Sequence, residues 1–364
     1  MNGRGWLCLM LIAVVGALVF GALVVAAEEP RTSENDEQVR QFFNNHPQAD
    51  ANGDGVLTLT EAQAFQQKLQ EARARREEYE AGRPAPTHAD LAYGPHERNV
   101  LDLWLAEGEG PRPLAVYIHG GGWVGGDKSS IARATLEKLL AAGISVAAVN
   151  YRYSTTAPYP APMADAGRAI QFLRYHAEEY SLDPDRVAAF GGSAGATTSM
   201  WLAFRDDMAD PESEDPVLRQ STRLTCIAPN SGPISLEIPV TTEWLGASIT
   251  THPALAKMFG VTDPAQFDDP QVQALMAEAS PVNHLTADDP PAYLTYGLPS
   301  TPPGPEATAN QVAHSGVYGV QLKQRMDALG IECILHCPDL EATDPYGDMV
   351  AFFKAKFFPD ETEQ

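Results

Sequence analysis

The sequence predicts an α/β fold, a mostly parallel sheet with flanking helices, preceded by a small all-α unit. Three observations carry this. From His88 onward, short apolar runs alternate with stretches of helical periodicity, the pattern of strands joined by crossover helices. A proline-rich break, Ala81-Gly82-Arg83-Pro84-Ala85-Pro86-Thr87, precedes that region. Each proline there removes a backbone donor and biases its predecessor to extended backbone. Ahead of the break, two helical stretches, Glu34 to Asn45 and Thr60 to Glu80, flank an acidic loop.

The expected divisions are a leader over 1–27, a helix–loop–helix over 28–82, a linker over 83–87 and the α/β domain over 88–359. Arg4 is the only charged side chain of the leader, an uncharged run extends from Trp6 to Ala27, and Glu28-Glu29-Pro30 closes it. Val25 and Ala27 have the size and spacing that a signal peptidase accepts, so the expected cleavage follows Ala27. The run over 6–27 is also long enough to span a bilayer, which leaves an uncleaved membrane anchor open. Both readings export the remainder to a periplasmic or extracellular setting, because Arg4 is held on the cytoplasmic side.

Composition narrows the partners. In 364 residues, 25 Lys and Arg face 48 Asp and Glu, a net charge of −23. So acidic a chain is not expected to bind nucleic acid. Outside the leader the cysteines are Cys226, Cys333 and Cys337, all in apolar, strand-like runs. An odd number in such settings reads as buried free thiols rather than a disulfide framework.

In the loop, Asp50-Ala51-Asn52-Gly53-Asp54-Gly55-Val56-Leu57-Thr58-Leu59-Thr60-Glu61 places oxygen donors at the spacing that a calcium ion uses. Asp50, Asn52 and Asp54 stand at positions 1, 3 and 5, and Gly55 at 6 permits the sharp turn. Val56 would offer its carbonyl, Thr58 a direct or water-mediated oxygen, and Glu61 two oxygens. The segment resembles the EF-hand family. That resemblance implies Ca2+ as a ligand, although such hands generally pair and no second loop of this pattern follows.

In the main domain, strands are expected at Asn99–Leu105, Leu114–Ile118, Ile144–Asn150, Val187–Phe190, Leu224–Ala228, Ala292–Tyr296 and Ile331–Cys337. Helices are expected over Ile131–Ala142, Ala164–Tyr180 and Ala194–Arg205. Phe190-Gly191-Gly192-Ser193-Ala194-Gly195-Ala196 falls between a strand and a helix and matches G-x-S-x-G. Its glycines allow a tight turn that lifts Ser193 to the carboxyl edge of the sheet as a nucleophile. His119-Gly120-Gly121-Gly122-Trp123 follows an earlier strand, where uncovered backbone amides can hold a developing oxyanion.

Together these two motifs resemble α/β-hydrolases of the carboxylesterase type related to hormone-sensitive lipase. The resemblance runs from about Thr87 to Phe358 and takes in Gly125-Gly126-Asp127-Lys128, Asn150-Tyr151-Arg152-Tyr153 and Ser280-Pro281-Val282-Asn283-His284. It implies that Ser193 is the nucleophile, that the amides of Gly121, Gly122 and Ala194 form the oxyanion hole, and that catalysis needs no cofactor.

The family places its acid after the strand before last and its histidine after the last strand. Here the first place reads Gly297-Leu298-Pro299-Ser300-Thr301-Pro302-Pro303-Gly304-Pro305-Glu306, and Glu306 is its only acid. The second reads His336-Cys337-Pro338-Asp339-Leu340-Glu341-Ala342-Thr343-Asp344, with no histidine beyond the strand. A serine hydroxyl without a neighbouring base attacks slowly. His314 follows the seventh strand at the same sheet edge as Ser193, which makes it the candidate for a substitute base, with Glu306 available to orient it from the same segment.

Five other histidines read otherwise: His336 as a core residue, His284 as structural, His119 as a buttress of the hole, and His176 and His252 as surface or packing groups. The inserted segment 232–279 corresponds to a lid, with Trp244, Leu245, Met258 and Phe259 available either to line an acyl pocket or to pack. Two readings follow. One is an exported, esterase-like serine hydrolase of small or carbohydrate-linked carboxylic esters. The other is a catalytically inactive homologue that keeps the pocket for binding and is stabilised by calcium.

Overall fold

The computed structural model describes residues 30–46 and 49–359, so the leader expected over 1–27 lies outside the described residues. The chain divides after Ala81 into two compact units, described separately below.

In the first unit, α1 (Glu37–Asn45) begins three residues later than periodicity suggests. Asp36 caps it, accepting from the amides of Gln38 and Val39. Helix α2 (Leu59–Glu80) starts at a reciprocal cap, where the Thr58 hydroxyl accepts from the Glu61 amide and the Glu61 carboxylate from the Thr58 amide. Between them the chain turns through Gly53 and Gly55, both at positive φ. A short antiparallel contact closes the loop: Ser33 N donates to Leu57 O at 2.8 Å, and Leu59 N to Arg31 O at 2.8 Å. Leu57 is fully buried with Val39, Ala49 and Ala62, and Phe42, Phe43 and Phe65 pack around them.

The second unit opens with β1 (His88–Ala92) and β2 (Val100–Trp104), then β3 (Arg112–Ile118), α3 (Arg133–Ala141) and β4 (Ser145–Val149). Next come α4 (Ala161–Tyr175), the one-turn α5 (Ala177–Tyr180), β5 (Leu182–Gly192), α6 (Ala194–Phe204) and β6 (Cys226–Asn230). The inserted segment folds as three short helices, α7 (Ile238–Leu245), α8 (Pro253–Met258) and α9 (Pro270–Glu278). The chain then runs through β7 (Ala292–Thr295), α10 (Ala309–His314), α11 (Val317–Ala328), β8 (Cys333–His336) and α12 (Met349–Phe357).

One sheet results, in the order β1-β2-β4-β3-β5-β6-β7-β8. The pairs β1–β2 and β2–β4 are antiparallel, and every later pair is parallel. All five residues of β4 are buried, as a strand covered on both faces requires. Alternate side chains feed the two layers. Ala147 and Val149 join a core with Met163 and Ile170 of α4 and Met200 and Leu202 of α6. Val146 and Ala148 join the opposite core with Leu136 and Leu139 of α3 and Phe352 and Phe353 of α12.

Two departures from the sequence reading have local causes. Strand β1 escapes it because this edge strand is mostly exposed and shows no apolar alternation. The helix expected over 164–180 starts earlier, at Ala161, and breaks at His176, leaving α5 to end at Ser181 in the left-handed region. Of the two alternatives left open for Trp244, Leu245, Met258 and Phe259, the structure shows packing into the first core. Cys226, Cys333 and Cys337 are buried and free.

Candidate active site

The site forms at the carboxyl edge of β3, β5 and β6. Register pairs Ile118 with Gly191 and Gly192 with Asn230, so three chain ends emerge side by side. Ser193 sits between β5 and α6 with φ 54° and ψ −120°, a conformation that non-glycine residues rarely hold without support. The support is explicit. Ser193 N donates to Asn230 O at 2.9 Å, and Thr197 N donates to Ser193 O at 3.0 Å. Glycine is obligatory on either side: a Cβ would lie 2.1 Å from Ile118 O at Gly191, and 1.9 Å from the same oxygen at Gly195.

Beyond β3 the chain holds positive φ at Gly121, Gly122 and Trp123 in succession. A Cβ on Gly120 would come within 2.8 Å of Gly192 O and 3.5 Å of Ser193 Cβ, which measures how closely this loop approaches the serine. Among the described residues, no backbone acceptor takes the amides of Gly121, Gly122 or Ala194, and Gly122, Ser193 and Ala194 border one small cavity. Two of the residues expected to form an oxyanion hole, Gly122 and Ala194, therefore border the same cavity as the serine. His119 braces them: its Nδ1 donates to Gly120 O at 2.7 Å, its ring stacks on Tyr151 at 4.2 Å, and burial pushes its pKa down to about 4. A ring of that kind, enclosed and held neutral, buttresses the loop.

The candidate base stands on α10. Nε2 of His314 lies 2.9 Å from Ser193 Oγ. On the far side of the ring, Nδ1 lies 3.0 Å from Asn310 O and 2.9 Å from Asn310 Oδ1. A backbone carbonyl can only accept, so Nδ1 carries the proton and Nε2 keeps its lone pair for the serine hydroxyl. Burial lowers the His314 pKa below its ordinary value, partly opposed by the bond to Asn310. The imidazole is thus neutral near pH 7, the state a general base requires.

Local structure fixes the ring. Thr308 caps α10 in a reciprocal box with Gln311. At the other end Gly316 N donates to Pro299 O at 3.0 Å, and a Cβ on Gly316 would meet Leu298 O at 2.6 Å.

Glu306 does not orient the ring. It lies in an exposed turn, and Asn310, one helical turn before His314, occupies the Nδ1 side instead. The signal was in the sequence: residues four apart on a helix share a face, and Asn310-Gln311-Val312-Ala313-His314 has that spacing. His336 ends β8 and pairs with Asp344 at 3.0 Å. His176 contacts Glu179, and His284 contacts Glu278 O.

His252, expected at the surface or in packing, instead borders the same cavity as Ser193. Its Cε1 would stand 3.4 Å from a Cβ on Gly122. Burial first, and then His314, lower its pKa. No sequence signal marks it, because the inserted segment brings it there by folding over the elbow. The cavity itself has a volume of about 30 Å³ and is walled by Trp123, Leu236, Ile249 and Leu255 beside the serine.

Comparison with known proteins follows this geometry. The BD-FAE family model matches residues 101–299, from β2 to just past β7 and including Ser193. The chain belongs to the BD-FAE family. His314 lies beyond the matched segment of this BD-FAE chain. A curated relative, a probable carboxylic ester hydrolase (LipM) of Mycobacterium tuberculosis, is 29% identical over 212 residues, covering 57% of this chain and 47% of the relative. The chain thus spans about half the length of the curated relatives that it matches.

Among solved structures, an acetyl ester-xyloside bifunctional hydrolase from Caldicellulosiruptor lactoaceticus superposes with TM-score 0.55 at 22% identity, covering 69% of this chain and 86% of its own. A truncated carbohydrate esterase from gut microbiota superposes with TM-score 0.58 at 21% identity, covering 75% and 99%. At that identity the likeness establishes the α/β-hydrolase fold.

Proposed function

We propose that this BD-FAE protein is a serine hydrolase of carboxylic esters, small or carbohydrate-linked, working through Ser193, His314 and Asn310. The observation that carries the reading is the 2.9 Å contact between His314 Nε2 and Ser193 Oγ. His314 takes the hydroxyl proton as Ser193 attacks the ester carbonyl, and the amides of Gly121, Gly122 and Ala194 hold the resulting oxyanion. The imidazolium then returns its proton to the departing alcohol, and water repeats the sequence on the acyl-enzyme. Asn310 keeps the ring in the correct tautomer but brings no negative charge, so the imidazolium is less stabilised than beside an aspartate. The esterase names of the curated relatives and the carbohydrate-ester names of the structural neighbours support this substrate class.

The test is hydrolysis of 4-nitrophenyl acetate by the wild type, Ser193→Ala and His314→Ala. Each substitution should cost about 10⁴-fold or more in kcat. A wild type no faster than Ser193→Ala would instead favour the binding-only homologue.

The small unit fits calcium in its donor chemistry: side-chain oxygens of Asp50, Asn52, Asp54, Thr58 and Glu61 and the carbonyl of Val56, all hard ligands. Asp50 already accepts from the Gly53 and Gly55 amides, and Glu61 is engaged with Thr58. Among the described residues, no three Asp, Glu, His or Cys side chains converge closely enough to hold a metal. Calcium would therefore draw these carboxylates together and stabilise the helix pair. Melting of the intact protein should move upward with added calcium and stay still in Glu61→Gln; equal shifts in both would remove the metal. We propose export through the leader, consistent with a weak site that fills at roughly millimolar calcium.

A further inference from the structure

His252 uses only one of its two ring nitrogens in the fold. Its Nδ1 accepts from Ala254 N at 3.3 Å and so caps α8. A backbone amide can only donate, so Nδ1 is the bare nitrogen and the neutral ring carries its proton on Nε2. Among the described residues the ring makes no other hydrogen bond. The Nε2–H is therefore an unspent donor, on a ring that borders the cavity of Ser193 beside Trp123, Ile249 and Leu255.

The position of the ring is set from two sides. A Cβ on Gly122 would lie 2.7 Å from Ala254 Cβ and 3.4 Å from His252 Cε1, so the start of α8 is seated on the glycine loop. The turn Ile249–Thr251, just before it, packs against α10, which carries His314. His252 thus stands between Gly122 and the candidate base. With Nδ1 turned to its own helix and Cε1 against Gly122, the next atom along the same edge of the ring is Nε2.

From this placement we infer that His252 is a side-chain donor of the oxyanion hole, giving its Nε2–H to the ester carbonyl oxygen beside the amide of Gly122. The inference rests on the proposed esterase reading and deepens it. Ester cleavage develops charge on the carbonyl oxygen and on the leaving alkoxide. His314 returns its proton to the alkoxide, which leaves the carbonyl oxygen for His252. The proton stays on Nε2 throughout, and no bond to the ring forms or breaks. A neutral ring suits this task. Burial, and then the charge on His314, lower the His252 pKa, so His252 donates without adding a second positive charge to oppose the imidazolium of His314.

The test separates the donor from the cap. An asparagine amide overlies the Nδ1 side of an imidazole, and a glutamine amide the Nε2 side. His252→Asn therefore keeps the cap and loses the donor, whereas His252→Gln keeps the donor. On 4-nitrophenyl acetate, His252→Asn should lower kcat about 10²–10³-fold, the worth of one oxyanion donor, with little change in KM. His252→Gln should stay within about 10-fold of wild type. A role in capping alone would give the reverse order. Far-UV dichroism checks that each variant is folded. Heteronuclear NMR of the histidine-labelled wild type, which needs no variant, should find the His252 proton on Nε2. A proton on Nδ1, or a folded His252→Asn as fast as wild type, overturns the donor. A wild type no faster than Ser193→Ala removes the hydrolase reading and this donor together; an active enzyme indifferent to His252→Asn removes the donor alone.

Discussion

On the proposed hydrolase reading, the carboxyl ends of β3 and β5 and the region after β7 serve one reaction but are built on different terms. At β3 and β5 the functional groups are backbone amides and a strained serine, held where chain meets chain with no room for a methyl group. After β7 the functional group is an imidazole on a short helix, and only the position of its Nε2 atom matters. The first construction cannot be moved without dismantling the sheet edge. The second can be supplied from any element that brings a ring to the serine, and here α10 supplies it in place of the loop after β8. Steric constraint and chemical function therefore leave different traces: one fixes residues, the other fixes atoms.

Substitutions tell the two constructions apart. The largest effect on stability is expected at Gly195. Alanine there puts a carbon 1.9 Å from Ile118 O, and relief of that clash should cost about 3 kcal/mol of unfolding free energy, read by urea denaturation. A stability change under about 0.5 kcal/mol would show that the elbow is far more yielding than its contacts imply.

Asn310 should behave in the opposite manner. It is exposed, and Asn310→Ala leaves the backbone carbonyl at Nδ1, so stability should hold while kcat falls about 10-fold, the worth of one hydrogen bond. The subtlest effect is on pH. Because the base must be unprotonated, kcat/KM falls as pH drops through the His314 pKa. Burial lowers that pKa, so the acid limb should lie below the ordinary imidazole value of about 6.5. Asn310→Asp adds a negative charge beside Nδ1–H, favours the imidazolium and should move the limb upward. A limb above 6.5 in the wild type, or one unmoved in Asn310→Asp, would detach His314 from the reaction.

The same division explains what the sequence discloses. Ser193, the Gly120–Gly122 loop and the parallel strands are legible because sterics demand particular residue types at short spacings. The absence of a histidine after β8 is equally legible, and it points to loss of the base. Position along the chain says which edge of the sheet a residue reaches, however, and not how far its ring extends. His314 satisfied the first criterion, and only its 2.9 Å contact with Ser193 meets the second. Glu306 was the natural choice of orienting group on charge alone; helical spacing favoured Asn310. His252 had no local signature, since a long insertion carries it to the serine.

The antiparallel contact between Arg31–Ser33 and Leu57–Leu59 has a consequence for maturation. Ser33 roofs the loop: its amide donates to Leu57 O, and its hydroxyl oxygen accepts from Leu57 N. A protease trimming the chain after Ala27 would spare this roof. One cutting past Ser33 would strip both backbone groups of a fully buried leucine, at about 1–3 kcal/mol each, and would undo the small unit from its outer end.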